Sequence, residues 1–237
     1  MDYRESHQQR GENYDELLAQ EPISAYMTRI EKDLLANIIP VLFPNSIPAY
    51  LDFACGTARI TSIVAPLSQR AYGVDISAGM LEKAKEKCPH TAFFNADITR
   101  DILDIEPVNL ITAFRFFGNA QHALREEVLA ALNRLLQKGG YLIINNHRNP
   151  WSLRAVLGRM SGAAIDLDLT PVKLKKLLND HGFIIKKTYG IGTWIFRSAL
   201  EQPKYLDSSI ARYLEHVSSL PASYLISPDA IIVARKR

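Results

Sequence analysis

The sequence is poor in cysteine and lacks any long apolar run. Its 237 residues include two cysteines, Cys55 and Cys88, which are too few to form a disulfide framework or a metal cluster by themselves. No stretch approaches the roughly 18 consecutive apolar residues that a membrane-spanning helix needs. The polar start of the chain, MDYRESHQQRGENYDE, has no apolar segment of the kind found in secretory signals. These features predict a cytoplasmic single-domain protein with no bound metal and no membrane partner.

Charge of one sign is not in excess either. The chain has 28 Lys and Arg against 25 Asp and Glu, a formal net charge of +3, and the charges are interspersed. Short basic clusters at 173–176, 186–187 and 235–237 are more typical of solvated helix faces and a solubilising tail than of a nucleic-acid footprint. The balance therefore argues against a nucleic-acid partner. A hydrophobic content of 47% excludes a disordered chain.

Predicted strands and helices alternate along most of the chain. Apolar residues near a 3.6-residue spacing predict a helix within 14–43, and a short apolar run predicts a buried strand at 49–54. Further strands are predicted at 71–74, 91–95, 110–114, 141–145, 183–189 and 230–235. Further helices are predicted at 60–67, 79–87, 123–137, 149–165, 170–181 and 207–219, with Gly139 and Gly140 closing the one at 123–137. The alternation predicts an α/β fold with a mostly parallel sheet and an antiparallel pair at one edge.

The ends of the first three predicted strands carry small or acidic residues. Ala54, Gly56 and Ala58 follow the first strand, where small residues let a ligand come close to the backbone at a helix N-terminus. Asp75 ends the second strand and could accept both hydroxyls of a ribose, and Asp97 ends the third and could accept from an adenine amino group. Each feature alone is also compatible with a plain turn or a helix cap. Together they predict an adenosine-binding crevice.

Two common nucleotide motifs do not fit this loop. The dinucleotide pattern G-x-G-x-x-G finds only Gly56 here, and it puts Arg59 where helix packing needs Gly or Ala. The chain also has no G-x-x-x-x-G-K-[ST] loop to cradle a triphosphate. An NAD-dependent oxidoreductase is therefore disfavoured.

The run Asp52-x-Ala54-x-Gly56-x-Ala58 resembles motif I of the class I S-adenosylmethionine-dependent methyltransferases, with alanine in place of its first and third glycines. The resemblance continues in order through 74–81, 95–98 and 135–142, and it spans about residues 48–145. It implies a Rossmann-like, doubly wound sheet of seven strands with a helical N-terminal cap. It also implies that the methyl group of Ala58 projects where the methionine part of the cofactor passes.

The resemblance implies S-adenosylmethionine as cofactor, S-adenosylhomocysteine as product, and no metal. Asp52 and Gly56 would lie near the methionine amino group, Arg59 at its carboxylate and Asp75 at the ribose. Met80 would cover the adenine, whose edge Asp97 would read together with the amide of Ile98. The predicted cofactor-binding residues are Asp52, Ala54, Cys55, Gly56, Thr57, Arg59, Asp75, Ile76, Met80, Asn95, Ala96, Asp97, Ile98, Phe114 and Arg115.

Acceptor recognition is assigned to segments around the core. We expect a helical lid at 1–45, the cofactor-binding core at 48–147, a cap insertion at 149–169 and the C-terminal part of the sheet at 170–237. His147 follows a strand and is the candidate general base, with a structural hydrogen-bonding role as the alternative. The predicted substrate-binding residues are Tyr14, Tyr26, Phe117, Asn119, Arg148 and Trp151.

The favoured function is methyl transfer to oxygen, nitrogen or carbon of a small-molecule metabolite. The motif [DNS]-P-P-[YF] of adenine and glutamine N-methyltransferases is missing after the fourth strand, which argues against that subclass. An RNA or protein acceptor is an alternative that the even charge weakens. A protein that binds S-adenosylmethionine without turnover is another, and the oligomeric state is open between monomer and homodimer.

Overall fold

The computed structural model describes residues 22–160, 168–192, 208–218, 220 and 222–237. Seven strands form one sheet: β1 (Tyr50–Phe53), β2 (Ala71–Asp75), β3 (Ala92–Asn95), β4 (Val108–Ala113), β5 (Leu136–Asn145), β6 (Phe183–Ile191) and β7 (Asp229–Lys236). The helices are α1 (Pro22–Leu42), α2 (Thr61–Val64), α3 (Ala78–Lys87), α4 (His122–Leu135), α5 (Leu153–Met160), α6 (Pro171–Asp180) and α7 (Ser209–Ser218). Two 3-10 helices, Ala65–Leu67 and Ser223–Leu225, complete the elements of the part of the chain that the structure describes.

The strand order is β3-β2-β1-β4-β5-β7-β6. Strands β1 to β5 pair in parallel, whereas β7 pairs antiparallel with both β5 and β6. The prediction of a mostly parallel, seven-stranded α/β sheet with an antiparallel edge is confirmed. The carboxyl ends of the parallel strands share one edge, and the order reverses between β1 and β4. Open α/β sheets bind their ligands at such a point.

The two faces of the sheet are covered by different helices. Side chains alternate between faces along a strand, so Leu110 and Ile111 of β4 belong to separate hydrophobic clusters. Helices α4 and α6 cover one face through buried leucines such as Leu129 and Leu178. Helix α1 covers the other face, where Leu35 packs with residues of β4, β5 and β7. Within the described residues, no helix is long and apolar enough to cross a membrane.

The C-terminal end of α4 differs from the prediction. The helix ends at Leu135 and β5 begins at once, so Gly139 and Gly140 lie within the strand and do not close the helix. Gly139 has a φ of +77°, and a Cβ at Gly140 would come within 3.0 Å of the Asn109 and Gln137 carbonyls. The glycines are therefore needed for an irregular start of β5, where its pairing register with β4 shifts. The helix predicted at 149–165 begins only at Leu153, and the predicted end at 165 lies outside the described residues.

Candidate functional site

The loop after β1 alternates between ordinary and left-handed backbone. Ala54, Gly56 and Ala58 have φ values of 52°, 53° and 63°. Glycine adopts this region freely, whereas an alanine there is strained by roughly 1–2 kcal/mol. Two alanines thus hold a shape that glycine would adopt without strain, and such strain clusters at functional sites.

The direction of the Ala58 methyl group corrects one expectation. Ala58 has no exposed surface, and it packs with Ala84 and Cys88, against Phe93. Its methyl group therefore points into the protein and does not project into the path of a ligand along the loop.

Replacing Ala54 by glycine should raise the free energy of unfolding by about 0.5–1 kcal/mol. Relief of the left-handed strain, roughly 1–2 kcal/mol, outweighs the extra chain entropy of glycine, roughly 0.5–1 kcal/mol. Ala58→Gly is the matched control, because it relieves the same strain but also deletes a buried methyl group worth about 0.8 kcal/mol. Urea denaturation followed by circular dichroism measures both variants. A less stable Ala54→Gly protein would show that the loop gains more from this methyl group than the strain costs.

Asp52 lies beneath the loop in a buried chain of hydroxyl groups. Its two carboxylate oxygens accept hydrogen bonds from Thr61 (2.6 Å) and Thr112 (2.7 Å), and Thr112 pairs with the Tyr50 hydroxyl at 2.6 Å. Only 2% of Asp52 is exposed, and burial raises the pKa of its carboxyl group to about 6, although both hydroxyl hydrogen bonds lower it. Asp52 therefore ties β1 to β4 and to α2. Its contact with a methionine amino group stays a prediction.

Asp75 connects the loop to the start of α3. One carboxylate oxygen accepts from the Gly56 amide at 2.8 Å and the other from the Ser77 amide at 2.9 Å. Ser77 in turn caps α3 by accepting from the Met80 amide. Asn95, at the end of β3, donates to the backbone carbonyl of Asp75 at 3.1 Å. The half-buried carboxylate thus sits where the ends of three strands meet.

The predicted cofactor-binding residues fall into two groups in the structure. One group has exposed surface at the carboxyl edge of the parallel strands, and the other is buried beneath it. Asp97 fixes its own turn by accepting from the amide and hydroxyl of Thr99. Met80 lies behind the loop, because its sulfur would be 3.4 Å from a Cβ at Gly56. The partly or fully exposed residues are Ala54, Gly56, Arg59, Asp75, Ile76, Asn95, Ala96, Asp97 and Arg115. The buried ones are Asp52, Cys55, Thr57, Met80, Ile98 and Phe114.

A cluster of charged and amide side chains adjoins the loop after β1, and only part of this cluster was predicted from the sequence. Arg59 forms an ion pair with Glu31 of α1, which has no exposed surface. Asn145, at the end of β5, donates to Glu31 at 3.2 Å and accepts from the Arg115 amide at 2.5 Å. Arg115 has a φ of 59°, so the loop after β4 also contains a left-handed position. We call Glu31, Arg59, Arg115, Asn145 and Asp229 the acid–arginine cluster.

Asp229 supplies the second carboxylate of the acid–arginine cluster. It begins β7, is 6% exposed, and accepts from the amide of Ala230 at 2.9 Å. Burial and the neighbouring Glu31 raise the pKa of Asp229 to about 8, against the opposing effect of Arg115 and Arg59. Two acids and two arginines with little exposure can together hold a ligand that carries both an anion and a cation.

The loops after β4 and β5 meet beside this edge. The ring of His147 packs so closely on Gly118 that a Cβ there would be 3.0 Å from Cε1. Arg148 donates to the Asn119 side chain at 3.1 Å. Arg125, which the sequence did not single out, holds the first loop by donating to the Phe117 carbonyl at 2.8 Å. His147, Arg148 and Asn119 are thus brought together, as the prediction of an acceptor site requires.

The other predicted substrate residues are distributed differently. Phe117 has no exposed surface and packs edge-on against Phe116, so it has a core-packing role and no surface for a substrate. Tyr26 is 4% exposed and lies under the guanidinium of Arg29. Trp151 is 44% exposed and its amide donates to the Asn149 side chain at 2.9 Å, and Tyr14 lies outside the described residues.

Comparisons with known proteins agree with this geometry. A family model described as a methyltransferase domain matches residues 51–140. An uncharacterized methyltransferase of Anoxybacillus flavithermus is 31% identical over 107 residues, which are 45% of this chain and 50% of that protein. The match therefore spans half of that relative's length. The trans-aconitate 2-methyltransferase of an Azoarcus species is 28% identical over 218 residues, covering 76% of this chain and 81% of that protein.

Solved structures share the fold at low sequence identity. A magnesium protoporphyrin IX methyltransferase of Synechocystis with bound SAH has a TM-score of 0.62 and 16% identity, over 99% of this chain and 92% of that one. An S-adenosylmethionine-dependent methyltransferase of Clostridium acetobutylicum has a TM-score of 0.65 and 15% identity, over 94% and 98%. At these identities the likeness establishes the Rossmann-like architecture alone.

Proposed function

Because the chain belongs to the class I S-adenosylmethionine-dependent methyltransferase family, we propose that it transfers a methyl group from S-adenosylmethionine to oxygen, nitrogen or carbon of a small-molecule metabolite. The observation that carries the proposal is the edge where the left-handed loop, Asp75 and the acid–arginine cluster adjoin one another. The trans-aconitate methyltransferase among the relatives supports a small-molecule acceptor.

The residues at this edge fit both halves of the cofactor. The adenosine half would lie at the ends of β2 and β3, with the ribose hydroxyls on Asp75 and the adenine beside Asp97. The methionine half carries a carboxylate and an ammonium group. Arg59 and Arg115 would hold the carboxylate, and Asp229 and Glu31 the ammonium group. With the ligand bound, the ion pair of Arg59 with Glu31 would be part of a network that also includes the carboxylate and the ammonium group of the ligand.

The protein's part in the reaction is alignment, exclusion of water and proton removal. When bound, the cofactor supplies an electrophilic methyl group on a sulfonium, so the donor needs no further activation. The loops after β4 and β5 would orient the acceptor nucleophile in line with that methyl group. His147, held against Gly118, would take the proton that an oxygen or nitrogen nucleophile loses. Helix α1, which carries Glu31, would act as part of a lid at 1–45, and 149–169 would form the cap.

Ligand-dependent stability and the fate of a labelled methyl group test the proposal. S-adenosylhomocysteine at ~100 times its dissociation constant should add about 2.7 kcal/mol to the folded state and raise the melting temperature, whereas NAD should not. With methyl-labelled S-adenosylmethionine and a cell extract, label should pass to the acid-soluble small-molecule fraction. Label found only in precipitated RNA or protein would contradict the acceptor class. Cofactor binding with no transfer to any fraction would favour a non-catalytic binding protein.

A further inference from the structure

A pocket of about 150 Å³ lies between α6, the β6–β7 pair and the 3-10 helix Ser223–Leu225. It is separate from the loops that follow β1, β2 and β3. Leu174, Ile185 and Ile232 give it an apolar wall, and Thr188 and Tyr224 add hydroxyl groups. The walls are therefore suited to a small molecule with an apolar body and a few polar groups.

Asn146 contributes an unsatisfied acceptor to this pocket. The residue is 2% exposed, and its amide nitrogen donates to the Leu169 carbonyl at 3.3 Å. Its Oδ1 atom is buried and accepts no hydrogen bond from the residues that the structure describes. Buried polar atoms are nearly always paired, because leaving one unpaired is costly. Oδ1 has almost no accessible surface, so the Asn146 side chain would have to turn toward the pocket before an O–H or N–H group of a bound molecule could satisfy this atom.

The pocket is lined by Asn146 of the loop after β5, and that loop adjoins the proposed active site. Asn146 directly follows β5, with Asn145 of the acid–arginine cluster before it and His147 after it. Successive residues along an extended chain face opposite sides, so Asn145 and Asn146 serve different faces of one sheet edge. Strand β7 is two strand spacings, or roughly 10 Å, from β4, whose end borders the cofactor crevice. A molecule bound in the pocket would have to extend by roughly this distance along the edge to reach that crevice.

Charge at the pocket points to an acidic ligand. Among the described residues that line it, Lys175 is the one that carries a charge. The next residue, Lys176, instead pairs with Asp180 at 2.7 Å. We propose that this pocket binds the methyl acceptor, and that the acceptor is a small organic acid bearing a hydroxyl or amino group. This inference rests on the proposed function and adds the chemical class of its substrate.

Titration of three small aromatic probes tests the assignment. 4-Hydroxybenzoate carries a carboxylate and a phenolic hydroxyl group. Benzoate lacks the hydroxyl donor, and 4-hydroxybenzyl alcohol lacks the charged carboxylate. We expect 4-hydroxybenzoate to shift the side-chain amide resonance of Asn146 and the backbone resonance of Thr188 in nuclear magnetic resonance spectra. Each of the other two probes should bind about fivefold more weakly. Lys175→Ala should weaken 4-hydroxybenzoate binding about fivefold, whereas the matched control Lys176→Ala should change it less than twofold.

A second variant isolates the buried acceptor atom. Asn146→Leu removes Oδ1 and should abolish the preference for 4-hydroxybenzoate over benzoate, and the lysine pair decides the matter if that variant does not fold. Equal losses of 4-hydroxybenzoate affinity in Lys175→Ala and Lys176→Ala would overturn the inference. Resonance shifts confined to residues outside the pocket would overturn it as well. Titration of S-adenosylhomocysteine into the same samples keeps the two proposals apart. Binding of that ligand without probe binding would sink the pocket assignment alone, and the reverse result would sink the proposed cofactor.

Discussion

Replacing Arg59 by methionine is expected to lower the free energy of unfolding by about 3 kcal/mol. The reason is Glu31, which has no exposed surface and faces Arg59 across a short ion pair. Removing one member of a buried pair leaves the other charge without compensation, which typically costs about 3–5 kcal/mol. The lower end applies here, because the Arg59 side chain is 17% exposed and Asn145 still donates to Glu31.

The double variant Arg59→Met with Glu31→Gln separates stability from ligand binding. A neutral glutamine removes the uncompensated charge and keeps an oxygen for the Asn145 amide, so most of the lost stability should return. Affinity for S-adenosylhomocysteine should not return, since Arg59 and Glu31, which are proposed to hold part of its carboxylate and ammonium groups, are both changed. Urea denaturation and calorimetric titration of the two variants and the unmodified protein give both quantities.

Two results would contradict this account of Arg59. A double variant no more stable than Arg59→Met would show that the instability does not come from an unpaired Glu31. Unchanged affinity in a folded double variant would remove both Arg59 and Glu31 from the methionine site and leave their roles to Arg115 and Asp229.

The mostly parallel α/β class of the sheet was predictable because its strands are buried and its helices amphipathic. In a parallel sheet covered on both faces, the strands appear as short apolar runs between helical periods, as at 49–54 and 71–74. The end of α4 was not predictable from Gly139 and Gly140. Two glycines after an amphipathic run match both a helix end and an irregular strand, and only the close approach of the Asn109 carbonyl distinguishes them.

The loop after β1 was predictable, but of the acid–arginine cluster only Arg59 and Arg115 were. Small residues at alternate positions after a buried strand favour one left-handed turn, whatever follows in the chain. Asp229 begins the last strand and becomes a neighbour of Glu31 only through the folded sheet, so no spacing in the sequence indicates their proximity. Glu31 did leave one signal. It lies four residues before Leu35, on the apolar face of the predicted helix, where a charge needs a buried partner.

The second large effect is expected from Asp75→Ala, which should weaken binding of S-adenosylhomocysteine by roughly tenfold to a hundredfold. Hydrogen bonds to a charged group are worth about 1.5–3 kcal/mol, and the proposed ribose contact depends on this carboxylate. The same side chain also accepts from the amides of Gly56 and Ser77, so its loss frees the cofactor loop from the start of α3. Loss of the ribose contact and a less ordered loop after β1 would both weaken binding of S-adenosylhomocysteine.

Two further variants show which property of Asp75 matters. Asp75→Asn keeps one oxygen acceptor but no charge, so its affinity should lie between those of the alanine variant and the unmodified protein. Asp104→Ala removes an exposed carboxylate from the loop between β3 and β4 and should leave the affinity unchanged. Calorimetric titration gives the affinities, and circular dichroism establishes that each variant is folded. If folded Asp75→Ala binds as tightly as Asp104→Ala, the carboxylate does not contact the ribose, and its role would be to hold the loop after β1 to the start of α3.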